Sequence, residues 1–193
     1  MAIIGVIAII AAGCGTKSAS ATKKEADELF SKAISGEIEV VGNFEGKEFS
    51  FFVPDLPNDP NEWDSYSVGE RVDLDNDGVD ELILNGPYGG KYLDARNGAV
   101  YQLAEGEGTA GQLSYVTYKG KTYVCHADTL HGGRQIYFLD QYNGDGEIVD
   151  STKLTAEYWD YADFNEEAAV CHFGEEEIPV EKYLELRQEI FGY

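Results

Sequence analysis

From Glu37 to about residue 155, glycine-bearing turns cut the chain into short pieces that alternate apolar and polar residues. Asn43 to Gly46, Arg96-Asn97-Gly98, Lys119-Gly120 and Asn143-Gly144-Asp145-Gly146 each stand between two such pieces. A period of two puts successive side chains on opposite faces of a strand. An Asn-Gly pair accepts positive φ at low cost and favours a tight hairpin. The connections are too short for crossover helices, so neighbouring strands must pair antiparallel. The expected strands include Ile38 to Val41, Lys47 to Val53, Leu82 to Asn85, Lys91 to Ala95 and Ala99 to Ala104. Leu113 to Tyr118, Lys121 to His126, Gln135 to Gln141 and Glu147 to Ser151 continue the series. Pro54 to Pro60 is a loop, because it carries three of the five prolines and proline cannot donate to a ladder.

Helical periodicity flanks this meander on both sides. Thr22-Lys23-Lys24-Glu25 has the form of a capping box. Leu29, Phe30, Ala33 and Ile34 follow at helical spacing until Gly36, which predicts a helix over 23–35. Pro179 suits a first helical turn, and Val180, Tyr183, Leu184, Arg187, Ile190 and Phe191 predict a second helix over 179–191. The expected class is α+β, a mostly antiparallel β meander with an N-terminal and a C-terminal helix. A complete β-propeller needs at least four blades of about 40 residues, which the region cannot hold.

One turn in the meander carries chemistry. Asp73-Leu74-Asp75-Asn76-Asp77-Gly78-Val79-Asp80-Glu81 places acids at alternate positions and a glycine where the backbone must curl. Calcium takes six to eight oxygens from carboxylates, backbone carbonyls and water. Asp73, Asp75, Asp77 and Glu81 offer carboxylates, and Val79 can offer only its carbonyl. An EF-hand closes with a glutamate at position twelve. Leu84 stands there, and a strand-like run follows at once instead of a helix. The nine residues resemble the calcium loop of FG-GAP and VCBS repeats, which lies between two strands and ends in an acid at position nine. That resemblance covers about a dozen residues and implies calcium as the bound ion. It does not carry the adhesive functions of those repeats. Asp140 to Gly146 echoes the loop faintly but has Tyr142 at a ligand position, and reads as a plain turn.

The N-terminus gives an address. Ala2 to Ala12 is apolar apart from Gly5 and shorter than the roughly 20 residues a bilayer span needs, so it fits the apolar region of a secretory signal. Ala11-Ala12-Gly13-Cys14 then resembles the lipobox of bacterial lipoproteins. The resemblance implies that residues 1–13 are removed and that Cys14 is lipidated. Residues 14–21 would be a tether and residues 22–193 a single domain, held at the cell membrane on its extracytoplasmic face. The net charge of −22, from 14 basic and 36 acidic residues, repels nucleic acid and anionic lipid. Lipid rather than a basic patch must therefore hold the protein to the membrane.

Cys125 and Cys171 remain as an even pair in an oxidising compartment. A bridge between them would close about 45 residues and contribute roughly 4 kcal/mol. Cys125-His126 and Cys171-His172 cannot form dyads within themselves, since neighbours on a strand face opposite ways. His126, Asp128 and His131 could gather a transition metal only around the Gly132-Gly133 turn. Tyr115, Tyr118 and Tyr123 in one hairpin read as packing ahead of sugar stacking. No nucleophile motif or phosphate loop is present. The reading is a non-enzymatic, calcium-binding module whose partner is a protein or a glycan. The alternative is an extracellular hydrolase acting on polysaccharide.

Overall fold

The computed structural model describes residues 21–193. The apolar run and Cys14 lie outside the described residues. Helix α1 (Lys23–Ser35) starts on the expected capping box, with Thr22 and Glu25 bonded reciprocally, and ends at Gly36 in the left-handed conformation. Twelve strands and a closing helix follow among the described residues. They are β1 (Val40–Phe44), β2 (Lys47–Phe51), β3 (Ser67–Val72), β4 (Glu81–Asn85), β5 (Lys91–Arg96), β6 (Ala99–Glu105), β7 (Gln112–Tyr118), β8 (Lys121–Asp128), β9 (Arg134–Tyr142), β10 (Ile148–Glu157), β11 (Val170–Phe173), β12 (Glu176–Ile178) and α2 (Val180–Phe191).

The strands form two six-stranded sheets, ordered β2-β1-β6-β5-β4-β3 and β12-β11-β10-β9-β8-β7. The second is an antiparallel meander throughout. The first departs from the expected meander at one place, where β1 lies parallel to β6. The intervening β2 to β5 carry the chain far enough to return in the same direction. The class is α+β, as the periodicities imply.

Alternation along each strand divides the apolar residues between layers. On β4, Leu82 and Leu84 pack with Phe30 and Ala33 of α1, while Ile83 points the other way. Ile83 joins Leu74, Tyr92, Leu113, Val124 and Tyr142 in a core that lies between the sheets. On β8 to β11, Cys125, Tyr137, Leu139, Leu154, Ala156 and Cys171 pack under Tyr183, Leu186 and Ile190 of α2. Helix α1 thus covers β5 and β6, and α2 crosses β7, β10 and β11.

The topology overturns the possible disulfide. Cys125 on β8 and Cys171 on β11 are both free and buried, with β9 and β10 between them. Three strand spacings of about 4.8 Å, together with a register offset of four residues along the strands, put them far beyond the Cα limit for a bridge. The same separation removes a Cys125–His172 pair.

Candidate functional site

The acidic turn joins β3 to β4, with Val72 paired to Glu81 at its base. Backbone curvature comes from Asn76 (φ 66°) and Gly78 (φ 91°). The side chains brace the turn from within. Asp73 accepts from the amide of Gly78 at 3.2 Å, Asp75 from that of Asp77 at 3.0 Å, and Asp77 from that of Val79 at 2.7 Å. Glu81 reaches back to accept from the amides of Leu74 (2.6 Å) and Asp75 (3.2 Å).

Carboxylate oxygens of Asp73, Asp75 and Glu81 lie within 4.8 Å of one another. Asp75 and Glu81 are each only 2% exposed. Asp73 Oδ1 and Asp75 Oδ2 are buried with no hydrogen-bond partner among the described residues. Burying carboxylates together without a counter-charge is expensive, and here three converge. Burial, and then the charge of Asp77, push the Asp75 carboxyl up to about 7. Burial, and then the charge of Asp75, push Glu81 up to about 9. A hard cation among these oxygens would supply the missing charge and complete both orphaned atoms.

Of the five residues singled out in the sequence, three gather as carboxylates. Asp77 is exposed and stands outside the group of three, though its charge acts on Asp75. The side chain of Val79 packs toward α1. Asp94 on β5 joins the site from outside the motif. It is 3% exposed, paired with Arg96, and burial raises its pKa against the opposing pull of Arg96. Its charge bears on both Asp75 and Glu81. Only strand pairing brings it near, so no local motif in the sequence marks it.

The turn is anchored on three sides. Arg71 donates to the carbonyl of Asp80, pairs with Asp27 of α1 and lies over Phe30, while Lys23 of α1 pairs with Asp80. Leu74 is fully buried between the sheets. Asn76 forms two bonds with the backbone of Thr122, donating to its carbonyl (3.1 Å) and accepting from its amide (2.8 Å). This ties the turn to the β7–β8 hairpin of the other sheet.

The remaining candidates separate. His126 turns to the carbonyl of Glu105. Both oxygens of Asp128 are taken, one by His131 at 2.6 Å and one by Arg134 at 2.7 Å. These residues do not form a metal triad. Tyr118 is buried, Tyr115 bonds Glu70 and Tyr123 bonds Asp150, which is packing. In the β9–β10 turn Asn143 caps the amides of Asp145 and Glu147, which makes it an Asx turn.

No family model, curated protein or solved structure matches the chain.

Proposed function

We propose that this protein is a lipid-anchored, calcium-binding interaction module on the extracytoplasmic face of the cell membrane. The observation that carries the calcium reading is the pair of orphaned, buried oxygens on Asp73 and Asp75 beside Glu81. Asp73, Asp75 and Glu81 would hold the ion with their carboxylates. Asp77 and the carbonyl of Val79 are the further donors that the FG-GAP-like spacing implies. The ion offsets the repulsion of the cluster and holds the turn to α1 and to both sheets. Cys14 carries the lipid, and the acidic surface leaves lipid as the means of attachment. Among the described residues no helix is long and apolar enough to cross a membrane.

The alternative, a polysaccharide hydrolase, needs two carboxylates flanking a substrate in an open cleft. The two most displaced carboxyls, Asp75 and Glu81, are instead closed inside a turn and bonded to its backbone, which favours an ion. Calcium titration by calorimetry tests the reading. The parent should bind one calcium with Kd on the order of 10⁻⁴ to 10⁻³ M or tighter, and Asp75→Ala should bind none. Equal heats from both proteins would refute it.

A further inference from the structure

Beyond the edge of the inter-sheet core, one face of β9, β10 and β11 is partly exposed, with Thr155 buried between its neighbours. Register puts Arg134, Glu157 and Val170 in one row across it, and Ile136, Thr155 and His172 in the next. Trp159 stands at the end of the first row and is 59% exposed. A large exposed indole is ordinarily free to turn, but this one is held twice. Its Nε1 donates to Glu157 at 2.7 Å, and its ring lies over the Arg134 guanidinium at 5.2 Å. Arg134 is itself fixed, because Asp128 accepts from both its Nε (2.7 Å) and its Nη2 (2.6 Å). Asp128 is 5% exposed and takes His131 on its other oxygen. A chain of fixed partners therefore orients a surface tryptophan. Beside it lies a groove of about 350 Å³ lined by Tyr161, Val170 and His172, which continues past Glu157 and His172 to Phe138. Exposed apolar groups gathered in this way mark binding surfaces.

The charges around the ring select among ligands. Glu157 and Asp160 flank the groove on a chain of net charge −22, which disfavours an acidic ligand. Arg134 already occupies one face of the indole and opposes a second cation on the other. An uncharged ligand with a flat apolar face and hydroxyls around its rim avoids both penalties. Its C–H face stacks on the indole, and carboxylate oxygens accept its hydroxyls.

We propose that the Trp159 face of β9 to β11 binds an uncharged glycan built of β-linked hexopyranose units with equatorial hydroxyls. This rests on the interaction module proposed above and names its partner class, at a place separate from the calcium turn.

The test is titration of the full chain with cellohexaose and with the hexamer of β-linked N-acetylglucosamine, followed by calorimetry and tryptophan fluorescence, with and without calcium. One or both should bind. Trp159→Ala should weaken that binding about tenfold or more, while Trp63→Ala leaves it unchanged. Glu157→Gln, which keeps an acceptor for the indole, should weaken it by a smaller factor. Because Trp159 is exposed, its alanine variant should keep the parent melting temperature, so lost binding is not lost folding. Binding of neither oligosaccharide overturns the proposal, as does binding that survives Trp159→Ala. Tighter Trp159-dependent binding of hexalysine or oligogalacturonate also overturns it. Calcium calorimetry on the same sample separates a failure here from a failure of the calcium reading.

Discussion

Replacing Asp75 by asparagine should stabilise the calcium-free protein above neutral pH while abolishing its response to calcium. Folding raises the carboxyl of Asp75 to about 7, against about 3.9 in an unfolded chain. A raised carboxyl pKa means that the folded state holds the proton more tightly. Its contribution is fully present below the unfolded value and is lost as pH rises through the folded value. Glu81, raised to about 9, extends the same loss to higher pH. Between pH 5.5 and the folded value of about 7, at about 1.36 kcal/mol per pH unit, Asp75 loses about 2 kcal/mol. At 2–4 °C per kcal/mol for a chain of this size, that is about 4–8 °C in melting temperature. In calcium-free buffer the parent should therefore melt progressively lower between pH 5.5 and 8.5. Calcium requires the ionised carboxylates and competes with their protons, so its stabilisation should grow over the same interval. At a hundredfold excess over Kd it reaches about 2.7 kcal/mol. The Asp75→Asn variant would keep the Oδ1 acceptor for the amide of Asp77 but not the charge. Thermal melts by circular dichroism, with sodium chloride at matched ionic strength and with magnesium, measure all of this. The reasoning is refuted if the parent melts at the same temperature at pH 5.5 and 8.5 without calcium. It is refuted equally if sodium or magnesium reproduces the calcium effect in full, or if Asp75→Asn still responds to calcium.

Other outcomes follow from single contacts. Asn76→Ala removes both bonds to Thr122 and leaves a left-handed residue without its anchor, so it should cost about 2 kcal/mol in chemical denaturation and speed hydrogen exchange at the Thr122 amide. Cys125 and Cys171 are buried, which pushes their thiols up to about 12 and about 11. Iodoacetamide at pH 8 should spare both in the native protein, and without reductant should alkylate both in guanidinium, as read by peptide mass spectrometry; protection that persists in guanidinium would restore the bridge. Cys14→Ala should move the protein from the membrane fraction to the medium or leave an unprocessed precursor, and unchanged partitioning with an unchanged N-terminal mass would remove the anchor.

Local signals are legible in the sequence, and long-range ones are not. The capping box at Thr22 and the glycine at Gly36 bound α1 because a helix end is satisfied by its own neighbours. Asn97-Gly98 and Lys119-Gly120 mark hairpins because positive φ is a property of the turn itself. The acids of the β3–β4 turn are readable for the same reason, since their spacing alone curls them together. The parallel β1–β6 pair depends on which edge a distant strand finds, and nothing local encodes it. The β11–β12 hairpin is hidden because Glu175-Glu176-Glu177 breaks the apolar alternation. Asp94 escapes a sequence reading because its tie to the turn is charge across a sheet. Trp159 stands in the sequence only as one of two tryptophans. Its orientation depends on Asp128 and Arg134, which precede it by a hairpin and reach it only through the β9–β10 register.

The place of the acidic turn decides what an ion there can do. At the tip of a free hairpin, repulsion among Asp73, Asp75 and Glu81 could relax by fraying into solvent. Here the second residue of the turn, Leu74, is buried between the sheets, the fourth, Asn76, is bonded to Thr122 of the opposite sheet, and the eighth, Asp80, is held by Arg71 and Lys23. Repulsion is therefore carried into the inter-sheet core and into the footing of α1. The loss of charge balance should be felt as a loss of global stability rather than as local mobility. The Trp159 face lies on β9 to β11, whereas the turn meets the second sheet through Leu74 in the inter-sheet core and through Thr122 on β8. The supports of Trp159 run through Asp128, Arg134 and Glu157 and do not pass through the turn. Calcium should accordingly set how firmly the two sheets are joined, while affinity at the Trp159 face remains the same with and without the ion for as long as the protein stays folded.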